Sequence, residues 1–215
     1  MKLYSYFRSS AAYRVRIALN LKGLGYETVP VHLLKDGGQQ FSAAYRALNP
    51  TQLVPTLVDE DVVIGQSLAI LEYLDETHPQ PPLLPADPAG RARVRAIAQT
   101  IACDIHPLNN LRVLRYLKHD MGLGDEARDN WYKHWIAVGL ASVEALLAGH
   151  PDTGRFCHGD APGLADACLV PQVFNARRMG CDLSAFPAIV RIDEACAELD
   201  AFCDAAPAAQ PDSES

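Results

Sequence analysis

The chain has 215 residues, 49% hydrophobic and 21% charged, with a formal net charge of −7 at pH 7. That length holds one large domain or two small ones, and the acidic balance argues against nucleic acid, whose binding needs a net-basic face. No apolar run approaches the ~20 residues of a bilayer-crossing helix, which argues against a membrane. Met1-Lys2-Leu3-Tyr4-Ser5 goes straight into a strand pattern and leaves no room for a leader, so the cytoplasm is the expected compartment. The six cysteines contain no C-x-x-C pair and the seven histidines no H-E-x-x-H, so neither a disulfide framework nor a metal site is expected. An anionic substrate would need a local group of arginines to overcome the overall field.

In chain order, Lys2 to Phe7 reads as a strand and Ser10 to Lys22 as a helix facing inward through Val15, Ala18 and Leu19. Gly23 and Gly25 end it, and Tyr26 to Leu33 reads as a second strand. A polar loop over 35–40 leads to a short helix near Ser42–Leu48. Thr56–Asp59 and Val62–Gly65 form a hairpin across Glu60-Asp61, and Ser67 opens a helix to about Thr77. This β-α-β-α-β-β-α order is the layout of a thioredoxin-like α/β domain, assigned to residues 1–80. Pro79, Pro81, Pro82, Pro85 and Pro88 make a stiff linker. From 89 to 215 an all-α domain is expected. Val94, Ile97, Ala98, Ile101 and Ile105 repeat at helical spacing, as do Ile136, Leu140, Val143 and Leu147. The tail from Ala205 onward is expected to be loose.

Two helix starts carry the chemistry. Ser9 and Ser10 stand at the first helix N-terminus, where unpaired N–H groups and the macrodipole favour an anion: phosphate, carboxylate or thiolate. Ser67 opens a later helix and can present hydroxyl and N–H to a carboxylate, or act as a plain cap. Arg8, Arg112 and Arg178 are candidates to grip carboxylates, which suit the planar guanidinium. His106, Asn109 and Asn110 lie close to Arg112 in a polar patch, where Pro107 should bend the helix.

Four segments carry a resemblance: Tyr6 to Leu19, Leu53-Val54-Pro55-Thr56-Leu57, Gln66 to Leu74, and Pro162 to Gln172. Together they resemble the zeta-class glutathione transferases, best known for maleylacetoacetate isomerisation. The resemblance spans essentially the whole chain and implies a thioredoxin-like domain plus an all-helical domain, glutathione as cofactor, and a homodimer. It implies that Gln66 and Ser67 hold the γ-glutamyl carboxylate. It also implies a cis Val54-Pro55 bond that lets Val54 pair with the cysteinyl portion, and a glutathione contact from Gln40. Positions matching His106 and Asn110 to Arg112 approach glutathione or substrate, partly across the dimer interface. The family pattern Ser-Ser-Cys ends here in Ala11, which excludes chemistry needing a protein thiol at that place. Of the two serines, Ser10 is preferred as thiol activator, with Ser9 close behind. Gly163 replaces the hydroxyl cap of the family, leaving Asp166 to bond the cap N–H.

Lowering a thiol pKa by ~2 units is worth only about 2.7 kcal/mol. Positioning the electrophile can be worth ~7–11 kcal/mol, so the carboxylate clamp should carry more of the catalysis. The implied reaction is thiolate addition to the double bond of a maleyl dicarboxylate, rotation, and elimination of the fumaryl isomer. Maleylacetoacetate, from tyrosine and phenylalanine breakdown, is the first expectation. Maleylpyruvate of gentisate degradation is the alternative, because Arg112 stands where some maleylacetoacetate isomerases carry serine. A glutathione-fold binding protein without turnover is the rival class.

Overall fold

The computed structural model describes residues 1–214. Among these, β1 (Lys2–Ser5), β2 (Glu27–Pro30), β3 (Thr56–Asp59) and β4 (Val62–Gly65) form one sheet in the order β2-β1-β3-β4. β1 runs parallel to β2 and antiparallel to β3, with Leu3 opposite Thr28 on one side and Leu57 on the other. β3 and β4 form the expected hairpin, Leu57 opposite Ile64. The second strand is shorter than its valine-rich sequence suggests. It is an edge strand, so Pro30 costs it no ladder bond, and the pairing with β1 ends where the Val31 N–H donates to the Ser5 carbonyl at 2.7 Å.

Helix α1 (Ser10–Leu21) starts where Ser9 accepts the Ala12 N–H at 3.2 Å and stops before Gly23, whose φ of +64° suits a residue without Cβ. It is buried on nearly every side, from Ala12 to Leu19, and this includes Arg14 and Arg16 at 1% and 0% exposure. α2 (Ala43–Leu48) covers a cluster of Tyr6, Phe7, Val31, Tyr45 and Val54. α3 (Ser67–Thr77) buries Ile70, Leu71 and Leu74 and packs on α1.

The chain divides into two compact units, and the division differs from the sequence boundaries. The first comprises Met1–Leu83 together with Ala197–Ser215, the second Leu84–Cys196. Polar anchors that leave no periodic signal attach the end of the chain to the first unit. Asn20 donates to the Ala201 carbonyl at 3.0 Å, and Arg16 Nε to that of Ala205 at 2.9 Å. Phe202 and Ala205 are buried, and α9 (Asp200–Cys203) contacts α1. The tail expected to be loose is therefore packed through Gln210. Lys22 ties the proline-rich stretch to the same unit, bonding Asp75 at 2.9 Å and the His78 and Pro81 carbonyls at 2.7 and 2.9 Å.

The second unit is helical: α4 (Pro88–Gln99), α5 (Leu111–His119), α6 (Asp125–Leu147), α7 (Leu164–Arg178) and α8 (Pro187–Ala197). After α4 the chain widens into a π-type turn over Thr100–Ile105 and tightens into a 3-10 turn over His106–Asn109, which is how the bend expected at Pro107 is realised. Asp166 Oδ2 accepts the Gly163 N–H at 2.9 Å, the cap bond read from sequence, while Oδ1 accepts that of Cys157 at 2.8 Å.

Candidate active site

In the first unit the candidate residues lie at two helix N-termini and two loops. Ser9 is the cap of α1 and half-buried; Ser10 begins the helix and is buried. The Ser9 oxygen accepts the Ala12 N–H with one of its two lone pairs, so its proton is directed away from that N–H. Arg8 is exposed and lies over the Phe7 ring at 4.9 Å, with one Nη donating to the Tyr6 hydroxyl at 3.0 Å.

The second N-terminus is that of α3. Gln66 occupies the cap position at φ +66°, ψ 113°, a conformation rare outside glycine, and its side chain makes no cap bond. Ser67 is the first helical residue and not the cap. Its oxygen accepts a hydrogen bond from Arg14 Nη1 at 3.2 Å, both groups buried. One guanidinium in α1, a turn after Ser10, thus fixes the serine that opens α3. A guanidinium only donates, so the Ser67 hydroxyl proton must point elsewhere.

Gln40 is buried, and its Oε1 has no hydrogen-bond partner among the described residues. An acceptor left so is costly unless a ligand or water supplies a donor. The Val54-Pro55 bond is cis. The preceding carbonyl, of Leu53, accepts from the Tyr45 hydroxyl at 2.7 Å and Asn49 Nδ2 at 3.0 Å, which holds the turn presenting Val54 two residues before β3.

In the second unit, His106, Asn109, Asn110 and Arg112 follow one another across the 3-10 turn into α5. Asn109 is buried, with neither amide atom partnered among the described residues. Asn110 caps α5 by accepting the Arg112 N–H at 3.0 Å. Arg112 is exposed at the positive end of that helix, where a cation is disfavoured and no acid accompanies it. Arg178, in the last turn of α7, donates to the Tyr132 hydroxyl at 3.4 Å on α6. The neighbouring Trp131 donates to the Leu108 carbonyl at 2.8 Å, so α6 connects the 3-10 turn with the Arg178 partner. No group of three His, Cys, Asp or Glu able to hold a metal occurs among the described residues, and no helix there is long and apolar enough to cross a membrane.

Residues 3–82 match the glutathione S-transferase N-terminal domain family. Over 213 residues the chain is 51% identical to a maleylacetoacetate isomerase of Pseudomonas aeruginosa, covering 99% of this chain and 98% of that one. It belongs to the glutathione S-transferase family. A bacterial maleylpyruvate isomerase described as a zeta-class glutathione S-transferase superposes with a TM-score of 0.96 at 53% identity, each chain covered in full. A maleylacetoacetate isomerase of Anaeromyxobacter dehalogenans, solved with dicarboxyethyl glutathione and citrate in its active site, gives a TM-score of 0.88 at 48% identity, covering 100% of this chain and 97% of that one.

Sequence reasoning missed the role of Arg14 in this glutathione S-transferase. Its signal was present, since Arg14 and Arg16 interrupt an otherwise apolar helix. Arg16 bonds Ser5 Oγ at 3.1 Å and the Phe7 carbonyl at 3.0 Å, and burial lowers its pKa to about 10, which leaves it charged at neutral pH.

Proposed function

We propose that this chain is a glutathione-dependent cis–trans isomerase of maleyl dicarboxylates, converting maleylacetoacetate to fumarylacetoacetate in tyrosine and phenylalanine degradation. The observation that carries the reading is the Arg14–Ser67 pair at the α3 N-terminus, a preorganised carboxylate site on a chain of net charge −7. The residues fit glutathione: Ser67 offers O–H and N–H to its γ-glutamyl carboxylate, and the orphaned Gln40 Oε1 is an acceptor for one of its N–H groups. When bound, glutathione supplies the thiolate whose reversible addition to the double bond permits rotation.

The chain's own groups act around that step. Ser9 and Ser10, with the N–H groups of the first turn of α1, hold negative charge on sulfur. Exposure favours Ser9 as the direct donor, reversing the order preferred from sequence, because Ser10 is buried. Arg8 and Arg112 grip substrate carboxylates and stabilise enolate charge, with Asn109 and Arg178 aiding orientation. His106 and Asn110 are assigned to glutathione contact, alongside Gln66, Val54 and Pro55.

Maleylpyruvate is the second reading, favoured by one observation: Arg112 stands exposed at the positive end of α5, where its position has no stabilising account and a second carboxylate would explain it. We place the protein in the cytoplasm as a homodimer, whose second copy would cover the exposed Val62 and Val63 of β4. The test is isomerisation of maleylacetoacetate and of maleylpyruvate, each with and without glutathione. Turnover should require glutathione and fall at least tenfold in Ser9→Ala. Turnover unchanged in both Ser9→Ala and Ser10→Ala would refute the site, and glutathione binding without turnover would favour a binding protein.

A further inference from the structure

The catalytic turn is held from both sides by groups that neither its own strand nor its own helix turn supplies. Phe7 precedes Arg8-Ser9-Ser10, and the turn between them closes through Ser9 N–H on the Tyr6 carbonyl at 2.9 Å. The Phe7 carbonyl accepts from buried Arg16 at 3.0 Å. The Phe7 N–H donates to Asp212 Oδ2, also at 3.0 Å, across 205 residues of sequence.

Asp212 is itself located by a fixed segment. A 3-10 turn over Pro207–Ala209 leads to Gln210, whose amide donates to the Asp204 and Ala206 carbonyls at 2.8 and 3.0 Å. The Ser213 N–H returns to the Gln210 carbonyl at 3.0 Å. Two residues past Asp212, Glu214 Oε1 accepts from Lys35 Nζ at 2.7 Å and meets His32 Nε2 at 3.1 Å. His32 Nδ1 accepts the backbone N–H groups of Leu34 and Lys35 at 3.1 and 2.8 Å, so it carries no proton, and Nε2 is the donor to Glu214. The His32 backbone N–H donates at 2.8 Å to the Gln39 side chain, next to Gln40.

We propose that residues 205–214 form a strap that positions the glutathione site, Asp212 setting the turn before Ser9 and Ser10 and Glu214 setting the loop before Gln40. Both carboxylates act through other residues and are positioning residues. The inference rests on the glutathione reading of these residues given above. Because coupling between two binding events is reciprocal, a strap that tightens glutathione must itself be tightened by glutathione.

Calorimetric titration of glutathione into the wild type, Asp212→Ala and Asp212→Asn tests the strap, together with amide exchange of Phe7 and of 205–214. Asp212→Ala should weaken binding about tenfold, the scale of one charge-assisted hydrogen bond. Asp212→Asn retains a carbonyl acceptor for the Phe7 N–H and should return affinity to within about twofold of wild type. Saturating glutathione should slow exchange of Phe7 and of the strap. Wild-type affinity in Asp212→Ala, or equal loss of affinity and melting temperature in both variants, overturns the proposal. Ser67→Ala separates the two readings. If it weakens glutathione while Asp212→Ala does not, only the strap fails; if neither the wild type nor any variant binds glutathione, the site reading falls and the strap with it.

Discussion

Replacing Ser67 by alanine removes one hydroxyl with two bonds at stake. The first is the 3.2 Å bond from Arg14 Nη1, buried on both sides. Taking an acceptor from a buried charged donor costs about 1–3 kcal/mol. For a chain of this length each kcal/mol lowers the melting temperature by about 2–4 °C. The second bond is the one proposed for the hydroxyl proton, to the glutathione carboxylate. A hydrogen bond to a charged group is worth about 1.5–3 kcal/mol, which is roughly a ten- to hundredfold loss of glutathione affinity. The two losses are separable. Calorimetry with glutathione, and with an analogue lacking the α-carboxylate of the γ-glutamyl arm, isolates the second. Wild type should prefer glutathione strongly, and Ser67→Ala should lose at least about tenfold of that preference on the same scale. If the preference is unchanged while the melting temperature falls, Ser67 serves only the fold and the assignment of its hydroxyl is wrong.

Three further predictions concern the second unit. A Cβ at Gly139 on α6 would come within 2.2 Å of Ile105 Cγ1, and Ile105 is buried beside His106. Gly139→Ala should therefore cost about 1–3 kcal/mol in denaturant unfolding and raise the substrate KM by displacing the 3-10 turn; unaltered KM would separate that turn from the site. Arg112→Ala removes a cation from the positive end of α5 and should stabilise the fold by about 0.3–1 kcal/mol while lowering kcat/KM for the dicarboxylate, and a stability gain without that loss would show the residue is not a clamp. Asp166 accepts two backbone N–H groups, at 2.8 and 2.9 Å, so Asp166→Asn turns a donor toward one of them and should cost about 1.5–3 kcal/mol. Burial holds the Asp166 carboxyl above its ordinary 3.8, so the unfolded chain ionises first. The wild-type advantage over Asn should then narrow as pH rises through the window just above 3.8, and a widening gap in urea melts across that window would reverse the assignment.

Much of the first unit was legible because its signals are local. The hairpin strands and α3 end where their apolar alternation and turn residues say they should, at Thr56–Asp59, Val62–Gly65 and Ser67–Thr77. Ser9 capping α1 is equally local. What escaped depends on partners remote in sequence. Arg14 and Arg16 sit in an apolar helix and are legible only as anomalies until Ser67, Ser5 and the Phe7 and Ala205 carbonyls are placed around them. The end of the chain looks loose because Ala, Pro, Asp and Ser carry no period. It is packed because Phe202 and Ala205 are buried and Gln210 bonds backward to two carbonyls. Composition predicts disorder well only where no such anchors exist.

The same kind of information bears on how a chain of net charge −7 could hold the anions proposed for it. The helices whose starts carry the candidate residues, α1, α3 and α5, have no acid in the first turn, whereas α6 begins with Asp125 and Glu126. Acids at a helix start stabilise it, so their absence from these three leaves the positive ends of the dipoles uncompensated. The hydroxyls are then oriented by use of one lone pair each, Ser9 accepting from Ala12 and Ser67 from Arg14, which turns each proton away from those donors. Aimed dipoles of this kind reorganise little when charge develops, and a water-excluding site strengthens them. The buried Arg14 acts in that way on Ser67, fixing the direction of a neutral hydroxyl. On the proposed reading, electrostatic preference is set by orientation more than by net charge, which is how a field unfavourable to anions overall can be overcome locally.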